Sequence, residues 1–283
     1  MAEAKSLLKR KKNIDAEIEI ELPTELSTPS SSIGDYTWLI YGEKKIGKTS
    51  LSSQFPKALS LMFEAGGKAL KMFQMPMPSW AHFKQTIDKL TGGEHKFQTL
   101  VIDTGAIAFD RCMEYVCEKN EMVHPSDEGY GKGWDKVKKE FQGTCLRAMS
   151  LDLGTVILAH DTLKEVETRS GRKYQQIQPA LSGQAEAFFA GVIDTIAYYH
   201  YAGSERFLQI RGDEKVICGT RCAKNFIALD GKPVHKIPMG KSEVEAYANI
   251  VEAFNNKQEE SFAPEEETTS SGVKKLGFLK KKG

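Results

Sequence analysis

Residues Gly42-Glu43-Lys44-Lys45-Ile46-Gly47-Lys48-Thr49 constrain this chain more than any other stretch. They follow Tyr36-Thr37-Trp38-Leu39-Ile40-Tyr41, whose apolar and aromatic run predicts a buried strand. They precede Ser50-Leu51-Ser52-Ser53-Gln54-Phe55, which predicts the opening of a helix. A strand, then G-x-x-x-x-G-K-T, then a helix is the phosphate-binding loop. Gly42 and Gly47 let the backbone wrap until successive N–H groups point inward at phosphate oxygens. The helix adds the positive end of its dipole. In this pattern Lys48 reaches the β- and γ-phosphates, and the Thr49 hydroxyl ligates Mg²⁺. Gly42 to Ser50 is therefore the expected cradle for a nucleoside triphosphate, with ATP and Mg²⁺ as the expected cofactors.

The rest of the chain narrows the class. With 283 residues it has ample length for a large core, as one large domain or two small ones. Its 39 Lys and Arg against 38 Asp and Glu leave a net charge of +1, so any polyanion partner must be met by a local cluster. The five cysteines are scattered without a disulfide framework, which predicts reduced thiols and a cytoplasmic location. Cys218, Cys222 and His235 lack a fourth ligand at zinc-site spacing. Neither a leader's apolar core near Met1 nor a run of 18 apolar residues is found, so export, a membrane span and a membrane partner are not expected.

Three parts are expected: an arm over 1–34, an α/β domain over 35–256 and a tail over 257–283. The arm carries Lys5, Lys9, Arg10, Lys11 and Lys12. In it Ile14, Ala16, Ile18, Ile20 and Leu22 alternate with acids, the period of a half-buried strand. That strand fits an edge of its own sheet or a neighbouring protomer equally well. The tail is acidic around Glu265–Glu267, then basic from Lys274 to Lys282, with the composition of a flexible segment.

Within the middle part, strands alternate with helices, so a mostly parallel sheet flanked by helices is expected. Ala58–Phe63 reads as a strand beside the loop strand. Its following residue, Glu64, is a candidate to orient and deprotonate an attacking water. Phe97–Asp103 reads as a buried strand tipped by Asp103, a candidate Mg²⁺ ligand. Gly154–His160 is a third such strand, and its tip places His160 between the loop and Asp103 as a candidate γ-phosphate sensor. Helices are expected over Trp80–Leu90, Ile107–Cys117, Trp134–Met149 and Gln184–Gly191. Further strands are expected over 193–199, 206–211 and 215–218.

Residues 161–179 lack apolar periodicity and read as a long mobile loop, a kind of segment that tends to be functional. Lys164, Arg169, Arg172, Lys173 and Tyr174 give it the cations and the aromatic face of a single-stranded nucleic-acid contact. Residues 121–133 form a second, glycine-rich loop.

Over roughly residues 36–250, this order of parts resembles the RecA-type P-loop ATPase family. More narrowly, it is similar to compact phage nucleotide-binding proteins that anneal single strands. By that resemblance Lys48 and Thr49 match the Walker A motif, Glu64 the catalytic glutamate and Asp103 the Walker B aspartate. His160 stands at the polar sensor, while 121–133 and 161–179 take the places of the two DNA-binding loops. Ser182-Gly183-Gln184-Ala185 resembles the segment that restarts the helix after the second loop. The resemblance implies a DNA-recombination ATPase that binds single-stranded DNA and promotes annealing as a ring or filament of identical subunits, in a bacterial host's cytoplasm if phage-encoded. ATP would be buried between protomers, with Arg221 or Lys224 reaching the neighbour's γ-phosphate. The tail would recruit a single-strand-binding or replication protein. An extensive DNA-gathering domain is missing, which favours annealing over strand exchange. A nucleotide-gated scaffold and a helicase-like or clock-like relative remain alternatives. A small-molecule kinase fits less well, because no Arg-rich lid lies between the Asp103 and His160 strands.

Overall fold

The computed structural model describes residues 22–222 and 224–262. Residues up to Ser31 and residues from Ser32 onward form two separate units. In the first, the described residues 22–31 contain no helix or strand, and Leu22 and Leu26 are exposed. The expected strand from Ile14 (except Leu22), the basic cluster Lys5–Lys12 and the tail beyond residue 262 lie outside the described residues.

The second unit is an α/β fold with a mostly parallel central sheet flanked by helices, a P-loop NTPase core. Its chain runs β1 (Thr37–Gly42), α1 (Lys48–Ser52), β2 (Ala58–Met62), β3 (Phe73–Pro76), α2 (Trp80–Thr91), β4 (Thr99–Asp103), α3 (Gly105–Lys119) and α4 (Lys132–Met149). It continues through β5 (Gly154–Glu167), β6 (Lys173–Pro179), α5 (Gly183–Val192), β7 (Thr195–Ala202) and β8 (Glu205–Gln209). Finally come β9 (Gly219–Thr220), β10 (Lys236–Pro238) and α6 (Glu243–Phe254). The strands lie in the order β10-β8-β7-β1-β5-β4-β2-β3. Every pairing from β7 to β3 is parallel, while β8 and β10 add antiparallel pairings at the other edge.

Alternation along the central strands builds both layers of core. Leu39 and Tyr41 of β1 join Ile157 and Ala159 of β5 beneath α2, α3, α4 and α5, through Phe83, Phe109, Phe141 and Phe189. Trp38 and Ile40 face the other way, with Val156 and Leu158, onto α1 and α6 through Leu51, Ile250 and Phe254. A strand covered on both faces has no polar side, which is why these segments read as continuous apolar runs.

Several expectations are corrected. Residues 161–179 are not a loop: β5 runs on to Glu167 and pairs antiparallel with β6, from Asp161↔Pro179 to Glu167↔Lys173. Both sides of this hairpin are partly wet, so no apolar period marks it. Main-chain pairing forms it instead, around a turn where Gly171 has φ 81°. The strand of Glu64 does not lie beside β1, because β5 and β4 intervene. The helix after the loop is short, five residues from Lys48 to Ser52, so its few free amides rather than a long dipole face the loop. The strand expected at 215–218 is a single bridge, Ile177↔Val216, next to the two residues of β9. Residues 121–133 contain two short 3₁₀ turns, Pro125–Asp127 and Gly129–Gly131. Among the described residues no helix is long and apolar enough to cross a membrane.

Candidate functional site

The parallel strands all end on one side, where open α/β sheets bind ligands. The loop from Glu43 to Gly47 starts there, because β1 closes at Gly42 against β7: a Cβ on Gly42 would stand 2.0 Å from the Tyr199 carbonyl oxygen. Gly47, at φ 107°, turns the chain into α1 from a conformation that side chains rarely adopt. Ile46 is buried and pins the loop to the core beneath α1.

Lys48 folds back over this loop. Its ammonium is buried and donates to the Gly42 carbonyl at 2.6 Å and the Glu43 carbonyl at 2.7 Å. Burial lowers its pKa, opposed by the carboxylates of Asp161, Asp103, Glu64 and Glu43. The Thr49 hydroxyl donates to Asp103 Oδ2 at 2.7 Å, so the two expected Mg²⁺ ligands already meet. Burial pushes the Asp103 carboxyl up. The Thr49 hydrogen bond lowers it, Glu64 adds to the rise, and the charges of Lys48 and His160 oppose it.

Glu64 arrives although two strands separate its own from β1. The backbone N–H groups of Phe63 and Glu64 both donate to the Asp103 carbonyl, at 2.7 and 3.1 Å. The chain leaving β2 is thereby bent over the tip of β4. Glu64 Oε2 then lies 3.3 Å from Nε2 of His160, which stands level with Gly42 in the β1–β5 register. Lys48, Thr49, Ser50, Glu64, Asp103 and His160 line one cleft of about 410 Å³, joined by Lys44, Lys45 and Thr104. The Thr104 hydroxyl and His160 Nδ1 are buried there without a protein partner. A cleft with one buried ammonium, a hydroxyl–carboxylate pair and leftover polar atoms suits a phosphate chain with a hard divalent cation.

Thr104 and Asp161 escape sequence reading. Each directly follows a recognised strand-tip residue, and that adjacency was the available signal. Other expected residues stand elsewhere. On the hairpin, Lys164 pairs with Glu186 at 2.8 Å, Lys173 with Glu165 at 2.9 Å and Arg172 with Glu214. Arg172 also lies 5.7 Å from the centre of the Tyr174 ring, and Arg169 is exposed. Arg221 donates to the Gly191 carbonyl at 2.5 Å. It follows β9, which pairs with the amino end of β7, so it sits at the opposite end of the sheet from the cleft. Lys224 is exposed, with its carbonyl bound by Asn256.

A family model described as AAA domain matches residues 35–222, the stretch that supplies every residue of the cleft. No curated protein matches the chain.

Proposed function

The chain belongs to the AAA domain family, and from that premise we propose that it binds ATP with Mg²⁺, hydrolyses it, and couples the reaction to single-stranded DNA. Lys48 and the loop amides hold the phosphates, and Thr49 and Asp103 hold the cation. Mg²⁺ neutralises charge on the β- and γ-phosphate oxygens when bound. Glu64 orients a water and takes its proton, and His160 sits against Glu64 as the residue that registers the γ-phosphate.

The observation that carries this reading is the Glu64–His160 contact, because it joins two functions on one strand. His160 belongs to β5, and the same strand runs out of the cleft into the β5–β6 hairpin. A change at Glu64 therefore has a short, stiff path to Lys164, Arg169, Arg172, Lys173 and Tyr174. The finer reading is a RecA-type recombination ATPase of the phage annealing branch, acting as a homo-oligomer that lays one strand across its hairpins. Arg221 and Lys224, away from their own cleft, are the cations proposed to serve a neighbour's. The tail is left to a single-strand-binding or replication protein.

ATP hydrolysis measured without DNA, with duplex and with single strands tests the proposal. Single strands should raise the rate more than duplex. A rate indifferent to DNA removes the nucleic-acid half, and no hydrolysis under any condition removes the whole.

A further inference from the structure

The cleft fixes which way a triphosphate points. Thr49, Asp103, Glu64 and His160 gather on the β5–β4 side of β1, so the γ-end lies there. The nucleoside must then leave the loop on the other side of β1, toward β7 and β8. A second cavity of about 640 Å³ opens there, lined by Tyr201, Arg206, Pro238, Gly240, Lys241 and Glu245 among others. Its size is that of a small-molecule site.

Arg206 lines this cavity and also reaches the loop of the first one. Its Nη1 lies 3.5 Å from the point a Cβ would occupy on Gly47, and the Tyr199 hydroxyl lies 3.9 Å from the same point. Arg206 and Tyr201 are cross-strand partners in the β7–β8 hairpin, so their side chains share a face. Tyr199, two residues before Tyr201, lies on that face too, packed into the core under α1. The guanidinium is oriented by Nη2 donating to the Gly240 carbonyl at 3.1 Å, which leaves other N–H groups of the fork for a ligand. Tyr201 is 49 % exposed and offers a free ring face beside it.

We propose that this β7–β8 cavity is the nucleoside subsite, with Tyr201 stacking on a purine base and Arg206 donating to the sugar and base. This rests on the proposal that the loop holds the phosphates of ATP, and it adds the residues that recognise what the phosphates are attached to. A flat aromatic and a planar cation side by side suit a purine better than a pyrimidine, because both gain with the area of the ring they cover.

Titration calorimetry with the full chain separates the two claims, using Mg-ATP and inorganic tripolyphosphate as probes. Arg206→Ala and Tyr201→Ala should each weaken ATP by about tenfold, the size of one stacking or cation–π contact. Tripolyphosphate should bind both variants within about twofold of wild type, and Lys48→Ala should lose both ligands. Tyr201→Ala removes a half-exposed ring and keeps the test alive if the Arg206 variant unfolds. Unchanged ATP affinity in Tyr201→Ala and in a folded Arg206→Ala overturns the subsite. A parallel loss of tripolyphosphate overturns it too, by making Arg206 a phosphate contact. Failure of the wild type to bind either probe instead overturns the loop reading on which the subsite rests.

Discussion

At Gly42 a Cβ would meet the Tyr199 carbonyl oxygen at 2.0 Å, a backbone atom that cannot rotate away. Gly42→Ala should therefore force β1 from β7 and cost about 3 kcal/mol, the upper end for overpacking, read as a lowered midpoint in urea unfolding. A midpoint within error of wild type would mean that the loop's first glycine is held by nothing. The sequence makes this residue legible through its motif, but the motif names only the wrap toward phosphate, not the contact with β7. Lys48 and Thr49 are legible through the same motif, and Asp103 and His160 because each is a polar residue closing an apolar run. Arg206 is not. Its place against Gly47 comes from pairing between β7 and β8 and has no trace in local spacing.

Between elements, α2 and α4 are clamped by one carboxylate. Glu140 Oε1 accepts from Trp80 Nε1 at 3.1 Å, Lys84 Nζ at 2.7 Å and Thr144 Oγ1 at 3.3 Å. Burial alone would raise the Glu140 carboxyl. The hydrogen bonds of Lys84 and Trp80, with the charge of Lys84 and the Thr144 hydroxyl, outweigh it and hold the group below its ordinary value. A folded pKa below the unfolded one, about 4.3, gives stability that is present above the unfolded value and lost as pH falls through the folded one. Glu140→Ala should cost about 2 kcal/mol at pH 7, since it strands a buried indole N–H and a half-buried ammonium. That deficit should shrink as both proteins are unfolded in increasingly acid urea. A deficit that stays constant with pH would mean that packing, not charge, holds the clamp. Elements buried on two faces are legible in the sequence. Short edge strands such as β3 and β10 are not, having too few residues to show a period. The start of α6 at Ser242-Glu243-Val244-Glu245 carries a readable capping pattern, with Ser242 Oγ accepting from the Glu245 N–H at 3.2 Å.

At the scale of the whole molecule, the strand order decides what can be coupled to what. β5 lies between β1 and β4, so the strand carrying His160 is flanked by the loop and by Asp103 and ends in the hairpin. The hairpin itself is tied down where Ile177 exchanges backbone bonds with Lys215 and Ile217, at 2.8 and 3.1 Å. Its cations Lys164, Arg172 and Lys173 are paired, so the single strand proposed to bind there would have to displace carboxylates. Replacing Arg169, Arg172 and Lys173 by Ala should flatten the slope of log affinity against log salt for a single strand, by roughly 0.7 per lost phosphate contact. Tyr174→Ala should weaken binding at every salt concentration and leave the slope alone. An unaltered slope and affinity in the triple variant would leave the hairpin a solvated surface feature.

The proposed hydrolysis depends on one carboxylate, Glu64, doing chemistry at the cleft. The most direct measurement is ATP binding and turnover by Glu64→Gln, whose amide keeps the shape and a hydrogen bond but cannot accept the water's proton. Affinity for ATP should stay within about threefold of wild type, and the turnover rate should fall by about 10²-fold or more, the usual worth of a general base. Turnover near the wild-type rate, with ATP still bound, would contradict the account and move the base away from Glu64.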